Sequence, residues 1–394
     1  MLVVDNRAAI GDDNPGLHAL LIGLSDYPHL SRKGDPNPNT PFGFLKVQGP
    51  AASALAIAEW IAAADAEGIL AQRLKTLRLL WLPSAAEKAA NSAMAAAAGI
   101  AVDAASAKNA IVDWRNDCRS HPDNVALFYF GGHGINGSAD DVYLAMGDIG
   151  SPGDSPSEVS RCICVQNIFK AMAPSAVQMN MALKQFYFID TCRTIDAVID
   201  DLDADLKIGG NRLTSNDADA KRIAPIYFAA DSGDPAFADS ATGTRFGNAL
   251  LSALKNSASA DAQLDANNNL VYAVNTDSLR LAIKNAMGQE LPVKGHAKSA
   301  DLVLRRNPPA IQVFVEIRPA ERAGDMRIDV INVDAGSLLH RIDPFDATAF
   351  PVPATVGRYR LEARWRDPAK AFRPMPPRTF VGPIERCIVD ARFS

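Results

Sequence analysis

The sequence is poor in cysteine and has no long hydrophobic run, and both absences exclude classes of protein. Five cysteines among 394 residues are too few and too scattered for a disulfide framework, so we expect reduced thiols. No segment approaches the roughly 20 apolar residues that a membrane-spanning helix needs. The N-terminal stretch MLVVDNRAAIGDDNPG has neither a basic region nor an apolar region, so we expect no signal peptide and a cytoplasmic protein.

An excess of positive charge is also lacking. The net charge is −5 and the pI is near 5.7, so no basic field indicates binding to nucleic acid or to an anionic membrane. Cys162 and Cys164 form a Cys-x-Cys pair, but no second pair follows at the spacing of a zinc site. We therefore expect no metal. The composition, 48% hydrophobic and 22% charged, is typical of globular proteins, and the length predicts two domains.

Short apolar runs alternate with helical patterns along most of the chain. This alternation predicts an α/β domain with a mostly parallel sheet flanked by helices. The predicted strands are HALLIGLS from His18, TLRLLWL at 76–82, NVALFYF at 124–130, QFYFID at 185–190 and PIYFAA at 225–230. Predicted helices include a segment starting at Pro50, one or two over 84–116, one from Val165 with a proline break, and one at 244–256.

The pattern changes near Arg305. The segments MRIDVINV, GRYRLEARW and RCIVDARF alternate apolar and polar residues, as strands of an antiparallel sheet do. We therefore expect a first domain over residues 1–305 and a small antiparallel β domain, a sandwich, over 306–394. The stretch PATVGRYRLEARW resembles a strand of small accessory β-sandwiches in bacterial proteins, which implies a binding module.

Two predicted strands end on reactive residues. His133 follows Gly131 and Gly132 after one strand, and Cys192 follows the other, 59 positions later. Functional groups of an open parallel sheet gather beyond the carboxyl ends of its strands. A thiol needs a neighbouring base to become a nucleophile at neutral pH. A lone cysteine is more often a small buried hydrophobe and a lone histidine a loop residue, but the matched pair indicates a catalytic dyad.

These residues lie in segments that resemble the motifs of caspase-like and metacaspase-like cysteine peptidases. FYFGGHG at 128–134 is similar to the histidine motif of that clan, and FIDTCR at 188–193 is similar to its cysteine motif. ALLIGLSDYPHL and TRFGNALLSALKN also resemble the family framework, and the likeness extends over about residues 17–290. It implies the caspase fold and a cysteine-type endopeptidase.

The resemblance implies a role for each matching residue. Cys192 would attack the scissile carbonyl and form a thioester, and His133 would activate the thiol and then protonate the departing amine. The backbone N–H groups of Gly134 and Cys192 would form the oxyanion hole, where each donor contributes about 3–4 kcal/mol in related chemistry. This chemistry requires no cofactor. The implied partners are a protein or peptide substrate and an activating protein.

Asp190, two residues before Cys192, is the main candidate for substrate specificity. In metacaspase-like relatives an Asp at this place lines the S1 pocket and receives Arg or Lys. A buried carboxylate attracts a guanidinium through paired, charge-assisted hydrogen bonds. We expect cleavage after Arg or Lys. Alternatively, Asp190 caps the loop or pairs with Arg193.

The sequence departs from the metacaspase-like pattern after the first strand. Relatives often carry a second pocket Asp near the start of the next helix, whereas this chain has Ala51 or Ala52 in the stretch GPAASALA. Either Asp231 or Asp26 compensates, or the pocket is less acidic.

The acidic segment 195–222 lies where caspase-like enzymes have the loop between their large and small subunits. Its candidate self-cleavage sites are Lys207, Arg212, Lys221 and Arg222. Its aspartates could bind Ca²⁺, but they lack the ligand order of an EF-hand, which favours a solvated loop.

Three functions are compatible with these features. The first is an endopeptidase controlled by a signal or partner, of a kind that the resemblance places in bacterial defence or cell death. The second is a catalytically silent caspase-like scaffold in protein assembly, which the intact pair of His133 and Cys192 argues against. The third, a non-peptidase hydrolase of the same fold, fits the two motifs less well.

Overall fold

The computed structural model forms two compact units. The first comprises Met1–Leu251 and Ala286–Leu302, and the second comprises Ser252–Asn285 and Val303–Ser394. The structure describes residues 2–95, 102–137, 141–154, 160–174, 180–192, 194–195, 221–230, 242–257, 261–265, 267–295, 299–305, 311–318, 324–333, 335–343, 351–354, 357–367, 378–380 and 384–390. The second unit thus includes a segment ahead of residue 305, and the predicted domain boundary there stays a prediction.

The described elements alternate between strands and helices in the first part of the chain. The strands are β1 (Leu2–Asp5), β2 (Leu17–Leu24), β3 (Leu74–Leu82), β4 (Val125–Gly132), β5 (Gly134–Asn136), β6 (Val142–Ala145), β7 (Cys162–Cys164), β8 (Lys184–Thr191), β9 (Thr194–Ile195), β10 (Pro225–Phe228), β11 (Asp261–Leu264), β12 (Leu270–Asn275), β13 (Val293–Gly295), β14 (Asp301–Arg305), β15 (Ile311–Arg318), β16 (Met326–Asn332), β17 (Ser337–Ile342), β18 (Pro351–Ala354), β19 (Gly357–Trp365), β20 (Arg378–Phe380) and β21 (Ile384–Asp390). The α-helices are α1 (Arg7–Ile10), α2 (Pro50–Ala66), α3 (Ala85–Ala90), α4 (Ser92–Ala95), α5 (Ala104–Cys118), α6 (Val165–Ala171), α7 (Arg245–Ser252) and α8 (Thr276–Met287).

A seven-stranded sheet organises the first unit. Its order is β1-β3-β2-β4-β8-β10-β13, and the five inner strands run parallel. The two edge strands are antiparallel to their neighbours. Every residue of β2 is buried, as expected for a parallel strand covered on both faces. The predicted α/β class with a mostly parallel sheet is confirmed. The edge strands β1 and β13 were not predicted, because three or four residues carry too little periodicity.

A buried carboxylate fixes the start of α2 beside the carboxyl end of β2. Oε1 of Glu87 accepts hydrogen bonds from the N–H groups of Gly49 and Ala52 and from the Ser25 hydroxyl, each at 3.0 Å. Oε2 accepts the N–H of Ser84 at 2.7 Å, which completes a capping box on α3. One side chain therefore satisfies donors at two helix N-termini.

Two segments that were predicted to be helical are described in part. The described residues of the alanine-rich segment 84–116 form three helices, where one or two were predicted, and Asp103 caps the last of them by accepting the Ser106 N–H at 2.7 Å. Helix α6 ends at Ala171, before Pro174, as the residue preceding a proline disfavours the α conformation. None of the described helices is long and apolar enough to cross a membrane.

The second unit contributes several small sheets. Strands β11, β12 and β14 form one, β18, β15 and β21 form another, and β17, β16, β19 and β20 form a third. Most pairs are antiparallel as predicted, but β15 and β21 run parallel over seven residue pairs. The sandwich arrangement of these sheets stays a prediction.

His18 is a titratable residue of the core, at the start of β2. The residue is 1% exposed, and its Nδ1 lies 2.8 Å from the Thr76 hydroxyl. Burial lowers the pKa of the imidazole to about 3, and the charges of Lys75, Arg7 and Arg78 act in the same direction. The folded protein therefore holds His18 uncharged at neutral pH.

This histidine should make the protein sensitive to acid. Below pH 6.5, the pKa of His18 in the unfolded chain, the unfolded chain binds a proton that the folded chain does not. The free energy of unfolding therefore decreases as the pH is lowered, down to about pH 3. Between about pH 7 and pH 5, we expect His18 to reduce the free energy of unfolding by about 2 kcal/mol. In urea unfolding measured at several pH values, the His18→Gln protein should lack this part of the pH dependence of the free energy of unfolding. Equal pH slopes for the two proteins would contradict the assignment.

Candidate active site

The two reactive residues leave the sheet side by side. Strands β4 and β8 are parallel neighbours, and Gly132 pairs with Thr191 in their register. His133 and Cys192 are the next residues of each strand. The prediction that both emerge at one edge of the sheet is confirmed, because parallel strands in register end at the same level.

Cys192 differs in exposure from the other cysteines whose side chains are described. Cys118, Cys162 and Cys164 are buried free thiols, whereas Cys192 is partly exposed. Burial raises the pKa of each of the three buried thiols. A thiol that must meet a substrate needs exposure, so Cys192 is the best candidate nucleophile among these four.

The imidazole of His133 lies in a close-fitting aromatic site. Its ring stacks on Phe44, with the ring centroids 4.2 Å apart and the planes at 9°. Tyr27 contacts it at a centroid distance of 4.9 Å. Nε2 of His133 lies 2.6 Å from the backbone carbonyl oxygen of Leu45. The residue is 7% exposed.

This environment determines the protonation state of His133. Burial lowers the pKa of the imidazole to about 4, although the hydrogen bond to Leu45 acts in the opposite direction. A carbonyl oxygen only accepts hydrogen bonds, so Nε2 carries the proton in the neutral ring. Nδ1 then keeps its lone pair. At neutral pH the ring can therefore accept a proton at Nδ1.

Tyr27 holds the backbone of His133, and sequence reasoning did not identify this role. The phenolic oxygen accepts the N–H of His133 at 2.9 Å and lies 3.4 Å from the carbonyl oxygen of Ala145. A Cβ atom on Gly132 would lie 2.5 Å from the phenolic oxygen of Tyr27. The signal in the sequence was the stretch SDYPHL, which follows β2 at the same edge of the sheet.

Gly134 allows close approach of the two active-site loops. A Cβ atom at this position would lie 2.6 Å from Oγ1 of Thr191 and 2.9 Å from the carbonyl oxygen of Cys192. At Gly134 the close neighbour is the cysteine loop itself. The oxyanion-hole role of Gly134 and Cys192 stays a prediction.

Asp190 is buried in a cluster of hydroxyl groups, at 4% exposure. Its Oδ2 accepts a hydrogen bond from the Tyr129 hydroxyl at 2.7 Å and another from the Thr244 hydroxyl. Ser53 in turn accepts the backbone N–H of Thr244 at 2.9 Å. Among the described residues, no ion pair involves Asp190, while Arg193 lies outside them. Burial raises the pKa of Asp190 to about 6, although the two hydroxyls act to lower it.

The other candidate pocket residues are placed differently. Asp26 forms an ion pair with Lys46, with Nζ and Oδ1 2.6 Å apart, so its charge is already compensated. Asp231 lies outside the described residues. Ser53 of α2 follows Ala51 and Ala52, the positions at which a second pocket Asp was expected. Its hydroxyl contacts Thr244, which belongs to the cluster around Asp190. Sequence reasoning missed Ser53, Tyr129 and Thr244 because their contacts join distant parts of the chain.

The candidate self-cleavage sites differ in whether the structure describes them and in their exposure. Lys207 and Arg212 lie outside the described residues, and Lys221 is exposed. Arg222 is 2% exposed; its guanidinium donates to Gln185 and to the carbonyl of Phe169, and lies 3.9 Å from the Phe169 ring centroid. Arg222 is thus a core residue in this fold and is not an accessible cleavage site.

No group of three or more metal-ligating side chains occurs within the part of the chain that the structure describes. At the neighbouring ends of β4 and β8, the described residues include an uncharged imidazole, a partly exposed thiol and a buried carboxyl group. These are the groups needed for acyl transfer to a thiol with recognition of a side chain.

Just over half of the chain matches a known protein family. The family model of the caspase domain matches residues 90–292, just over half of the chain, including both motifs. The chain therefore belongs to the caspase-domain family of cysteine peptidases. A solved structure, that of caspase-1 from Spodoptera frugiperda, is similar, with 10% sequence identity and a TM-score of 0.37. That similarity covers 73% of this chain and 89% of the insect protein. No curated protein matches the chain in sequence.

Proposed function

We propose that the protein is a cysteine endopeptidase with His133 and Cys192 as its catalytic dyad. The observation that carries the proposal is the register of β4 and β8, in which Gly132 pairs with Thr191 directly before the two residues. The partial exposure of Cys192 and the neutral state of His133 are consistent with it.

The reaction follows from these groups. Nδ1 of His133 takes the proton of the Cys192 thiol as the sulfur attacks the scissile carbonyl carbon. The backbone N–H groups of Gly134 and Cys192 stabilise the oxyanion. The C–N bond then breaks, the proton moves from His133 to the departing amine, and a thioester remains. Water, deprotonated by His133, hydrolyses the thioester and regenerates the thiol.

The imidazole is neutral before the reaction, so the thiolate forms together with the attack. A preformed thiolate–imidazolium pair would require an imidazole pKa above the working pH, whereas burial lowers the pKa of His133 to about 4.

We propose Arg or Lys as the P1 residue, with Asp190 as the pocket carboxylate. This carboxyl group is buried, is held by neutral hydroxyls and has no basic partner among the described residues. A substrate guanidinium would supply the missing positive charge. The compensated charge of Asp26 makes it the weaker candidate, and Asp231 is retained as an additional pocket residue.

The proposal also covers the location, the substrates and the control of the protein. We propose a cytoplasmic bacterial protein of the metacaspase-like type, acting on protein substrates and on neither nucleic acid nor membranes. An activating partner protein would control it, with the domain over 306–394 as the binding module. Cleavage after Lys221, which is exposed, or after Lys207 or Arg212 would separate the two parts of the peptidase domain.

Covalent labelling tests the proposed dyad. The full chain should react once with a peptidyl acyloxymethyl ketone that carries Arg at P1, and peptide mapping should place the adduct on Cys192. The same ketone with Asp at P1 should react at least about 100-fold more slowly, because the pocket carboxylate repels it. The Cys192→Ala protein should not be labelled.

Two results would oppose the proposal. An adduct on a different cysteine would remove Cys192 from the reaction. No adduct from the Arg ketone, in a protein whose Cys192 reacts with iodoacetamide, would instead favour the catalytically silent scaffold.

A further inference from the structure

A short loop covers the outer face of the His133 ring. The covering loop, residues 41–47, places the Phe44 ring parallel to the imidazole at a centroid distance of 4.2 Å. Its next residue, Leu45, provides the carbonyl oxygen 2.6 Å from Nε2. Phe44 is 5% exposed and His133 is 7% exposed, so the stacked pair has little contact with water.

The covering loop is fixed at its C-terminal end. The N–H of Lys46 donates to the carbonyl of Ser31 at 3.1 Å, and the N–H of Val47 donates to the carbonyl of Ser25 at 3.2 Å. The Lys46 ammonium also pairs with Asp26 at 2.6 Å. Ser25 and Asp26 directly follow β2, so these bonds join the loop to the edge of the sheet from which His133 emerges.

The turn that delivers Phe44 has an unusual backbone. Phe42 has a φ of 55° and a ψ of 20°, in the left-handed region that residues with a Cβ atom rarely adopt. Gly43 follows with a φ of 73°, and the N–H of Phe44 closes the turn on the carbonyl of Pro41 at 3.0 Å. Backbone strain of this kind persists only where surrounding contacts impose it, and it occurs frequently next to active sites.

We propose that Phe44 is a positioning residue for His133: its ring shields the imidazole from water and keeps the Leu45 carbonyl on Nε2. This inference rests on the proposed role of His133 as the base. Phe44 neither forms a bond nor carries a proton in the reaction; it acts through the ring on which it stacks, which it keeps uncharged, with Nε2 protonated and Nδ1 available. Loss of the ring would admit water and allow the imidazole to rotate away from Leu45.

Three ionisable groups lie near the imidazole among the residues that the structure describes. Tyr27 faces it from the end of β2, and Cys192 lies beside it at the end of β8. The covering loop carries Lys46, whose charge is paired with Asp26. In a Cys192→Ala background the thiol is absent from every sample, and Tyr27 and the Lys46–Asp26 pair remain when Phe44 is replaced. A changed titration in a Phe44 variant therefore reports on shielding and orientation of the ring.

The test is an NMR titration of the His133 ring in full-length Cys192→Ala protein, which does not depend on enzymatic activity. Replacing Phe44 by Ala should raise the titration midpoint by at least about one pH unit, toward that of a solvated histidine. Phe44→Tyr preserves the stacked ring and should restore the midpoint. In the active protein, Phe44→Ala should lower kcat about tenfold or more while KM stays within about twofold, because orientation of the base is lost.

An unchanged midpoint in Phe44→Ala, in a protein with the wild-type circular dichroism spectrum, would overturn the inference. So would a midpoint in Phe44→Tyr that matches the alanine variant. Failure of the proposed function gives a different result, because a wild-type protein without peptidase activity would still show the shifted histidine titration.

Discussion

Replacement of Cys192 by alanine is expected to abolish peptide cleavage, with a loss of about 10⁴-fold or more in kcat. The thiol forms the acyl-enzyme, and alanine offers no atom that can carry the acyl group. The measurement is turnover of a fluorogenic peptide with Arg at P1 by the full-length protein, beside the wild type at equal concentration. Because Cys192 is partly exposed, the substitution should leave the thermal unfolding midpoint almost unchanged.

Matched variants make this result specific. Cys164→Ala removes a buried thiol and should retain activity. His133→Gln should show a loss similar to that of Cys192→Ala, and the double variant should be no worse than either single one, because residues that act as a unit are strongly non-additive. Substantial turnover by Cys192→Ala, inhibited by thiol reagents, would show that another cysteine is the nucleophile.

Replacement of Asp190 by asparagine should remove the preference for a basic P1 residue. We expect kcat/KM for a P1 Arg peptide to fall by about 100-fold or more, because a buried guanidinium would lose its charged partner. Cleavage of a peptide with a neutral P1 residue, if measurable in the wild type, should change little. Peptides that differ only at P1 give this comparison directly.

The same substitution should stabilise the protein at neutral pH. The side-chain oxygen of asparagine can still accept from Tyr129 and Thr244, while the cost of a buried charge disappears. Burial raises the pKa of Asp190 from 3.8 to about 6, and this shift is equivalent to about 3 kcal/mol at neutral pH. As the pH falls below 6, the free energy of unfolding of the wild type should rise toward that of the variant, because the folded protein takes up the proton more readily than the unfolded chain.

Asp113→Asn is a suitable control, since that carboxylate is largely exposed on α5. It should not alter the P1 preference. An Asp190→Asn protein that is folded and still prefers Arg would remove Asp190 from the pocket and direct attention to Asp231. A less stable Asp190→Asn protein would mean that the hydroxyl cluster requires the carboxylate.

The inner strands could be predicted from the sequence because they are continuous apolar runs. The segments that became β4 and β8 are buried on both faces, and such runs stand out between polar loops. Because these runs end at Gly132 and Thr191, the sequence alone placed His133 and Cys192 at strand ends, and the pairing of β4 with β8 makes those ends neighbours. The short edge strands β1 and β13 could not be predicted, since their pairing depends on partners remote in sequence.

The contacts that control His133 were not predictable from local patterns. Phe44, Leu45 and Tyr27 lie about 90 to 110 positions before the histidine, and nothing near them in the sequence marks an aromatic residue or a carbonyl as a partner of an imidazole. The buried position of Arg222 was missed for a related reason. A basic residue beside an acidic loop suggests exposure, whereas Gln185 and Phe169 provide partners inside the core.

The sequence by itself determined the fold class and the two motifs, because apolar periodicity and strand-terminal residues are local properties of the chain. Only the tertiary structure decided which nitrogen of His133 carries the proton, why Gly134 must be a glycine, and that hydroxyl groups surround Asp190. Each of these depends on the packing of segments that are distant in sequence. Burial and hydrogen bonding set the ionisation of a side chain, and both arise only when those segments meet.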